Sequence, residues 1–130
     1  MEKIKLAIIV SEPRFNRGLS LLINELSSLE LQKKSFDADG LIQTNLSPDV
    51  IIMDTGNNFA CDLREAATLI GSFPASKILL LSNFDDPRYQ ESVKSIGAHG
   101  LLKKPVNKNQ LSRAIESLLQ KEGFWHETAS

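Results

Sequence analysis

Short apolar runs alternate with longer amphipathic stretches along this chain, and that alternation is the feature that most restricts its fold. Three of the runs, at residues 6–10, 50–53 and 78–81, contain no polar residue. Such runs are typical of strands that are buried on both faces of a parallel sheet. The stretches between them carry apolar residues at spacings of three and four, as helices that cover a sheet do. The pattern therefore predicts an α/β fold with a doubly wound parallel sheet.

Five strands and five helices are predicted in alternation. We place the strands over residues 6–10, 29–36, 50–54, 78–82 and 100–103, the second being the weakest pattern. The helices are expected over 13–26, around 41–46, around 63–70, over 87–96 and over 107–121. Pro13 and Pro87 favour helix starts, and Gly97 favours a helix end.

Length and composition indicate one soluble domain. The chain has 130 residues, of which 42% are hydrophobic, and this is enough to bury a core without cross-links. A net charge of -1 excludes a general affinity for nucleic acid or membrane surfaces. The single cysteine, Cys61, cannot form an internal disulfide, and no signal peptide or membrane span is visible. We expect a cytoplasmic protein with no membrane partner, with one domain over 1–122 and a tail or linker start over 123–130.

Asp54 ends the third predicted strand and is the first candidate for chemistry. In a doubly wound sheet the carboxyl ends of the strands converge on one crevice, which here would receive Ser11, Glu12, Asp54, Ser82 and Lys104. A carboxylate can accept a phosphoryl group, whose charge needs cations and donors around it. We interpret Asp54 as a phosphoacceptor, with Ser82 and Lys104 as its partners. The alternative is that Asp54 and Ser82 only cap loops.

Three short motifs carry a resemblance to a known family. Asp54 ends "PDVIIMD", Ser82 lies in "KILLLSN", and Lys104 lies in "GAHGLLKKP". They resemble the phosphoacceptor, the Ser/Thr position and the phosphoryl-contacting lysine of receiver domains in bacterial two-component response regulators. The resemblance implies a flavodoxin-like fold and phosphorylation by a histidine kinase or another phosphodonor with Mg²⁺. It also implies no enzymatic activity beyond self-catalysed phosphotransfer to Asp54.

The C-terminal motif "LSRAIESLLQKEGFW" is similar to the last receiver helix and linker of NarL/LuxR-type regulators. This resemblance implies control of transcription through an attached or partner helix-turn-helix domain that these residues do not contain. DNA would be bound only through that output domain. Similarity to the family also implies a homodimer formed through the last helix and strand.

The predicted acidic pocket departs from the family pattern. Receivers normally carry two adjacent acids after the first strand, which hold Mg²⁺ together with the phosphoacceptor. In "IIVSEPRFNRGL" the acid positions fall on Val10 and Ser11, or on Ser11 and Glu12 if the alignment shifts by one residue. At least one acid is missing in either alignment. We therefore expect Asp54, Glu12 and Ser11 to form a weak or absent Mg²⁺ site.

Two further departures concern the response to phosphorylation. The family's switch position, three residues before the lysine, is usually Tyr or Phe, and here it is Leu101. The usual hydrophobic residue, proline and glycine after the phosphoacceptor are replaced by Asn57, Asn58 and Asp62. These departures favour an alternative, a pseudo-receiver that acts as a phosphorylation-independent protein-interaction or dimerisation module. A nucleotide-binding enzyme is disfavoured, because the loop over 11–16 has no glycine.

Overall fold

A computed structural model describes residues 3–10, 13–56, 58–84, 86–120 and 123–125, with the backbone alone for 13–17. Strands and helices alternate through these residues. The strands are β1 (Ile4–Val10), β2 (Leu29–Ser35), β3 (Val50–Asp54), β4 (Lys77–Ser82), β5 (Gly100–Lys103) and β6 (Phe124–Trp125). The helices are α1 (Pro13–Glu25), α2 (Ala38–Ile42), α3 (Phe59–Ser72), α4 (Pro87–Ser95) and α5 (Lys108–Leu119).

The strands form one parallel sheet in the order β2-β1-β3-β4-β5-β6. The predicted α/β fold with a doubly wound parallel sheet is confirmed. The chain order reverses between β1 and β3, which is the position where ligands bind in open sheets of this kind. Asp54 pairs with Val10 of β1 and Leu81 of β4, and Ser82 pairs with Lys103. The last residues of β3, β4 and β5 therefore lie together at one edge of the sheet.

The sixth strand corrects the predicted count of five. Residues 123–130 were predicted as a tail or linker start, whereas Phe124 and Trp125 pair in parallel with Gly100 and Leu101 of β5. Phe124 packs against one side of the core and Trp125 against the other, and the Lys94 Nζ lies 5.0 Å from the centre of the Trp125 ring. Two residues are too few to show a period of two, so the sequence pattern carried no strand signal. Residues 126–130 lie outside the described residues, and a linker there stays a prediction.

Apolar layers cover both faces of the sheet. Along β1, Leu6, Ile8 and Val10 face the layer under α1 and α5, and Ala7 and Ile9 face the layer under α2, α3 and α4. This alternation follows from the period of two along a strand. Because both faces of the sheet are covered, the runs at 6–10, 50–53 and 78–81 contain no polar residue. In the part of the chain that the structure describes, no helix is long and apolar enough to cross a bilayer.

His99 connects β4 to the start of β5 and makes stability sensitive to pH. Its Nδ1 accepts a hydrogen bond from the Ile78 backbone N–H at 3.0 Å, so the neutral ring is the form that fits. Burial, and then the charge of Lys77, lower the pKa of His99. The unfolded chain therefore binds a proton that the folded chain resists, and stability falls as pH drops through the ordinary histidine pKa of about 6.5.

We expect the urea midpoint to fall between pH 7.5 and pH 5.5, and to fall less in His99→Asn. The asparagine carbonyl oxygen can accept the same N–H and does not titrate. Urea unfolding of both proteins across this pH range gives the comparison. Parallel losses in the two proteins would show that His99 is not the group responsible.

Candidate functional site

Asp54 and Lys104 form a close ion pair at the carboxyl edge of the sheet. The Lys104 Nζ lies 2.6 Å from the Asp54 Oδ1 and also donates to the Thr55 carbonyl oxygen at 2.9 Å. The Lys104 backbone N–H donates to the Ser82 carbonyl oxygen at 2.8 Å, which fixes the start of the side chain. The side chains of Asp54 and Lys104 are 6% and 17% exposed. The pair is therefore oriented by its surroundings and largely removed from water, where charge interactions are stronger.

Ser82 lies beside this pair on β4 and is fully buried. Its Oγ accepts a hydrogen bond from the Phe84 backbone N–H at 3.0 Å, the local loop-capping contact considered as an alternative role. That contact does not preclude a second role, because a hydroxyl has another lone pair and a rotatable proton. The structure thus brings Asp54, Ser82 and Lys104 to the ends of three neighbouring strands.

The remaining predicted site residues are Ser11, Glu12 and Leu101. Ser11 and Glu12 lie outside the described residues. Leu101 is buried in the layer under α4, together with Ala98 and Trp125. A leucine packed in this way offers no polar group that could follow a change at Asp54.

A Mg²⁺ ligand set is not complete within the described part of the chain. There, no group of three or more His, Cys, Asp or Glu side chains is placed to hold a metal ion. Mg²⁺ is usually held by one or two carboxylates together with waters and substrate oxygens. Asp54 supplies one carboxylate, but its Oδ1 is engaged by Lys104. The described residues alone do not fit a strong Mg²⁺ site, and the contribution of Ser11 and Glu12 stays a prediction.

Asp62 places a second buried carboxylate below this edge, in the first turn of α3. Its Oδ1 accepts from the Gly56 backbone N–H at 3.3 Å, and its Oδ2 has no hydrogen-bond partner among the described residues. Burial raises the pKa of Asp62, against the opposing effects of the Gly56 hydrogen bond and the Lys104 charge. The sequence had shown Asp62 only as a departure from a family glycine. Its burial depends on how the β3–α3 loop folds back.

Thr55 and Tyr89 add two buried hydroxyls behind Asp54. The Thr55 Oγ1 donates to the Leu81 carbonyl oxygen at 2.8 Å. Tyr89 is 1% exposed, and its ring packs against Phe59 and Phe84 with centroid distances of 4.8 and 5.3 Å. In the sequence, Tyr89 lies within the helix predicted over 87–96 and has no role assigned to it. One sequence feature could have indicated a role: a tyrosine on the buried face of a helix carries a hydroxyl that usually needs a hydrogen-bond partner.

A cavity gives access to the ion pair from the side of α1. Its volume is about 530 Å³, and it lies between α1 and the loop that joins β5 to α5. Leu19 and Leu22 of α1 line it opposite Lys104 and Val106, with Asp54 at its base. Asp54 therefore borders this cavity even though its carboxylate is mostly buried.

A doubly wound parallel sheet with an aspartate, a serine and a lysine at the ends of neighbouring strands is the arrangement that the sequence resemblance to receiver domains implies. Comparisons with solved structures agree. The isolated receiver domain of RcsB from Salmonella enterica serovar Typhimurium superposes with a TM-score of 0.83 at 18% identity, over 96% of this chain and 94% of that one. The receiver domain of NarL from Mycobacterium tuberculosis gives 0.76 at 22% identity, over 92% and 98%. At these identities the likeness shows the fold alone.

Sequence comparisons find relatives among response regulators. DegU, a transcriptional regulatory protein of Brevibacillus brevis, is 27% identical over 126 residues, which are 95% of this chain and 53% of DegU. The oxygen regulatory protein NreC of Staphylococcus aureus is 28% identical over 124 residues, 93% of this chain and 57% of NreC. No protein-family model matches the chain. The chain spans about half the length of these relatives. It is a homologue of NarL/LuxR-type response regulators and has the fold of their receiver domains.

Proposed function

We propose that this chain is the receiver domain of a two-component response regulator, with Asp54 as a slowly modified phosphoacceptor. The contact between Asp54 and Lys104, at 2.6 Å and beside Ser82, is the observation that supports this proposal most directly. A carboxylate next to a fixed ammonium group suits phosphoryl transfer, because the transferred oxygens carry negative charge that Lys104 can balance.

The proposed step forms one bond and breaks one. An Asp54 carboxylate oxygen attacks the phosphorus of a phosphohistidine or of an acyl phosphate. The bond from phosphorus to the donor's leaving group breaks, and its electron pair stays with the donor. Mg²⁺, when bound, would balance charge on the phosphoryl oxygens. We expect weak Mg²⁺ binding and slow modification, because an acid is missing from the pocket predicted at Ser11 and Glu12.

The rest of the signalling path is proposed from the relatives. A histidine kinase or another phosphodonor would supply the phosphoryl group. A homodimer would form through α5 and β5, the last helix and the last strand that the sequence predicts. Transcription would be controlled through an output domain outside this chain, which would make the only contact with DNA. RcsB, which is 19% identical over 97% of this chain, has a structure with two dimers bound to two parallel DNAs, and this supports the proposal of a dimer in a DNA-binding regulator.

A second candidate is a pseudo-receiver that interacts with a partner or dimerises without phosphorylation. The packing of Leu101 favours it, because the side chain at the family's switch position is 2% exposed and lies among core residues. The two candidates differ in whether Asp54 is modified at all.

Incubation with acetyl phosphate or phosphoramidate and Mg²⁺, followed by intact-mass spectrometry, tests the proposal. We expect slow addition of one phosphoryl group, to less than full occupancy, and none in Asp54→Asn. Asp39→Asn, a change at an exposed aspartate of α2, is the matched control and should be modified like the original chain. Rapid stoichiometric modification would refute the expectation of weak Mg²⁺ binding and slow phosphorylation. No modification by either donor would refute the phosphoacceptor role and leave the interaction module.

A further inference from the structure

Tyr89 is the only tyrosine of the chain, and its side chain is buried. The residue lies in the first turn of α4 with its side chain inside the protein. Its hydroxyl oxygen has no hydrogen-bond partner among the described residues. A buried hydroxyl without a partner costs free energy. A polar group held at such a cost is a candidate for an interaction that forms in another state of the protein.

The groups nearest to this hydroxyl belong to the Asp54 site. The Ser82 and Thr55 hydroxyls lie close enough to act on the pKa of Tyr89, which burial raises, yet neither contact has normal hydrogen-bond geometry. Thr55 instead donates to Leu81, and Ser82 accepts from Phe84. Tyr89 therefore stays a neutral O–H donor, and Phe84 links it to Ser82. The Phe84 N–H donates to the Ser82 Oγ at 3.0 Å, and the centre of the Phe84 ring lies 5.3 Å from that of Tyr89.

We propose that Tyr89 is the positioning residue that couples Ser82 to α4, in place of the aromatic residue that position 101 lacks. In the structure the Tyr89 hydroxyl has no hydrogen-bond partner among the residues described. When Asp54 gains a phosphoryl group, the Ser82 hydroxyl turns toward it, and Tyr89 forms a hydrogen bond with the rearranged Ser82 or Thr55. This inference rests on the proposed function of Asp54, although the contact between Tyr89 and Ser82 can be tested without it.

The position of Tyr89 in α4 connects a rearrangement of Ser82 to the other end of this helix. Its ring packs against Phe59 at the start of α3 and against Phe84 in the β4–α4 loop, so it cannot move without shifting the first turn of α4. The last turn of the same helix carries Lys94, whose ammonium group lies over the ring of Trp125 in β6. The two ends of α4 therefore connect the Asp54 site with the C-terminal strand.

A single tyrosine makes the contact directly measurable by NMR, because ¹³C-labelled tyrosine gives one ring spin system. We expect Ser82→Ala to move the Tyr89 Cζ resonance, and Thr68→Ala, a change on the exposed side of α3, to leave it in place. Tyr89→Phe should raise the melting temperature slightly, because it removes the unpaired hydroxyl and keeps the ring. An unchanged Tyr89 Cζ chemical shift in Ser82→Ala would overturn the inference. So would a lower melting temperature in Tyr89→Phe.

The coupling itself is tested by following Trp125, the only tryptophan, while Asp54 is modified. We expect a fluorescence change in the original chain that Tyr89→Phe loses, although mass spectrometry shows equal modification of both. Equal fluorescence changes in both proteins would overturn the coupling. If no donor modifies Asp54, the proposed function fails. The coupling is then tested with the variant Asp54→Glu in place of the phosphorylated protein, because the longer side chain brings its carboxylate closer to Ser82. The coupling then stands if the Tyr89 Cζ resonance moves in Asp54→Glu, and falls if it does not.

Discussion

Lys104→Met is expected to lower the free energy of unfolding by about 3 kcal/mol, since it leaves the Asp54 carboxylate buried without its partner. The side chain of Asp54 is 6% exposed and receives its cation at 2.6 Å, so water cannot readily replace the lysine. Methionine keeps most of the length and apolar character of the lysine side chain, which limits the effect to the charge and its hydrogen bonds. Urea unfolding at pH 7, where an aspartate is normally ionised, measures the loss.

Two companion variants show whether the pair is responsible. Asp54→Asn combined with Lys104→Met removes both charges and should recover most of the lost stability, so the two changes should be strongly non-additive. Lys108→Met, at an exposed position of α5, should stay within about 0.5 kcal/mol of the original chain. If Lys104→Met lowers the free energy of unfolding no more than Lys108→Met does, the ion pair does not stabilise the site.

Gly100→Ala is expected to detach β6 from the sheet and to cost about 2 kcal/mol, through crowding in a packed region. A Cβ at this position would lie 2.7 Å from the Phe124 carbonyl oxygen and 2.9 Å from the Leu79 Cδ1. Backbone at that distance cannot move aside without breaking the pairing of Phe124 with Gly100. We expect Trp125 emission to shift to longer wavelength and to become more accessible to acrylamide.

Gly71→Ala is the matched control for this change. Gly71 lies in α3, where a Cβ would meet no atom within 4 Å. Alanine is the better helix former by about 1 kcal/mol, so stability should stay equal or rise. Trp125 emission should be unchanged in this variant. Unchanged emission in Gly100→Ala as well would mean that β6 does not depend on the missing side chain.

The central strands could be predicted because a strand that is buried on both faces consists of consecutive apolar residues. β1, β3 and β4 carry unbroken apolar runs, and their last residues mark the edge where the site lies. Once the sheet is doubly wound, strand order alone brings Asp54, Ser82 and Lys104 to one edge. The placement of these three residues therefore followed from topology and did not require side-chain detail.

The features that were missed depend on contacts between elements, which a pattern along the chain does not record. β6 exists because Gly100 leaves room beside β5 and because Trp125 finds the apolar layer under α4. The hydroxyl of Tyr89 becomes buried only when α4 packs on the sheet. A tyrosine on an apolar helix face looks the same in sequence whether its oxygen reaches water, a partner or neither.

The charged outer strand β2 has a consequence for how this protein behaves at high concentration. β2 pairs with β1 alone among the described strands, so its far side is an unpaired edge of the kind through which sheets stick to one another. Lys33 and Lys34 are exposed on it, and the register slips between Leu6 and Ala7 where the two strands meet. Repelling ammonium groups and an irregular backbone both discourage a foreign strand from docking there. The molecule is therefore protected against edge-to-edge aggregation on the side of the sheet that no other described segment covers.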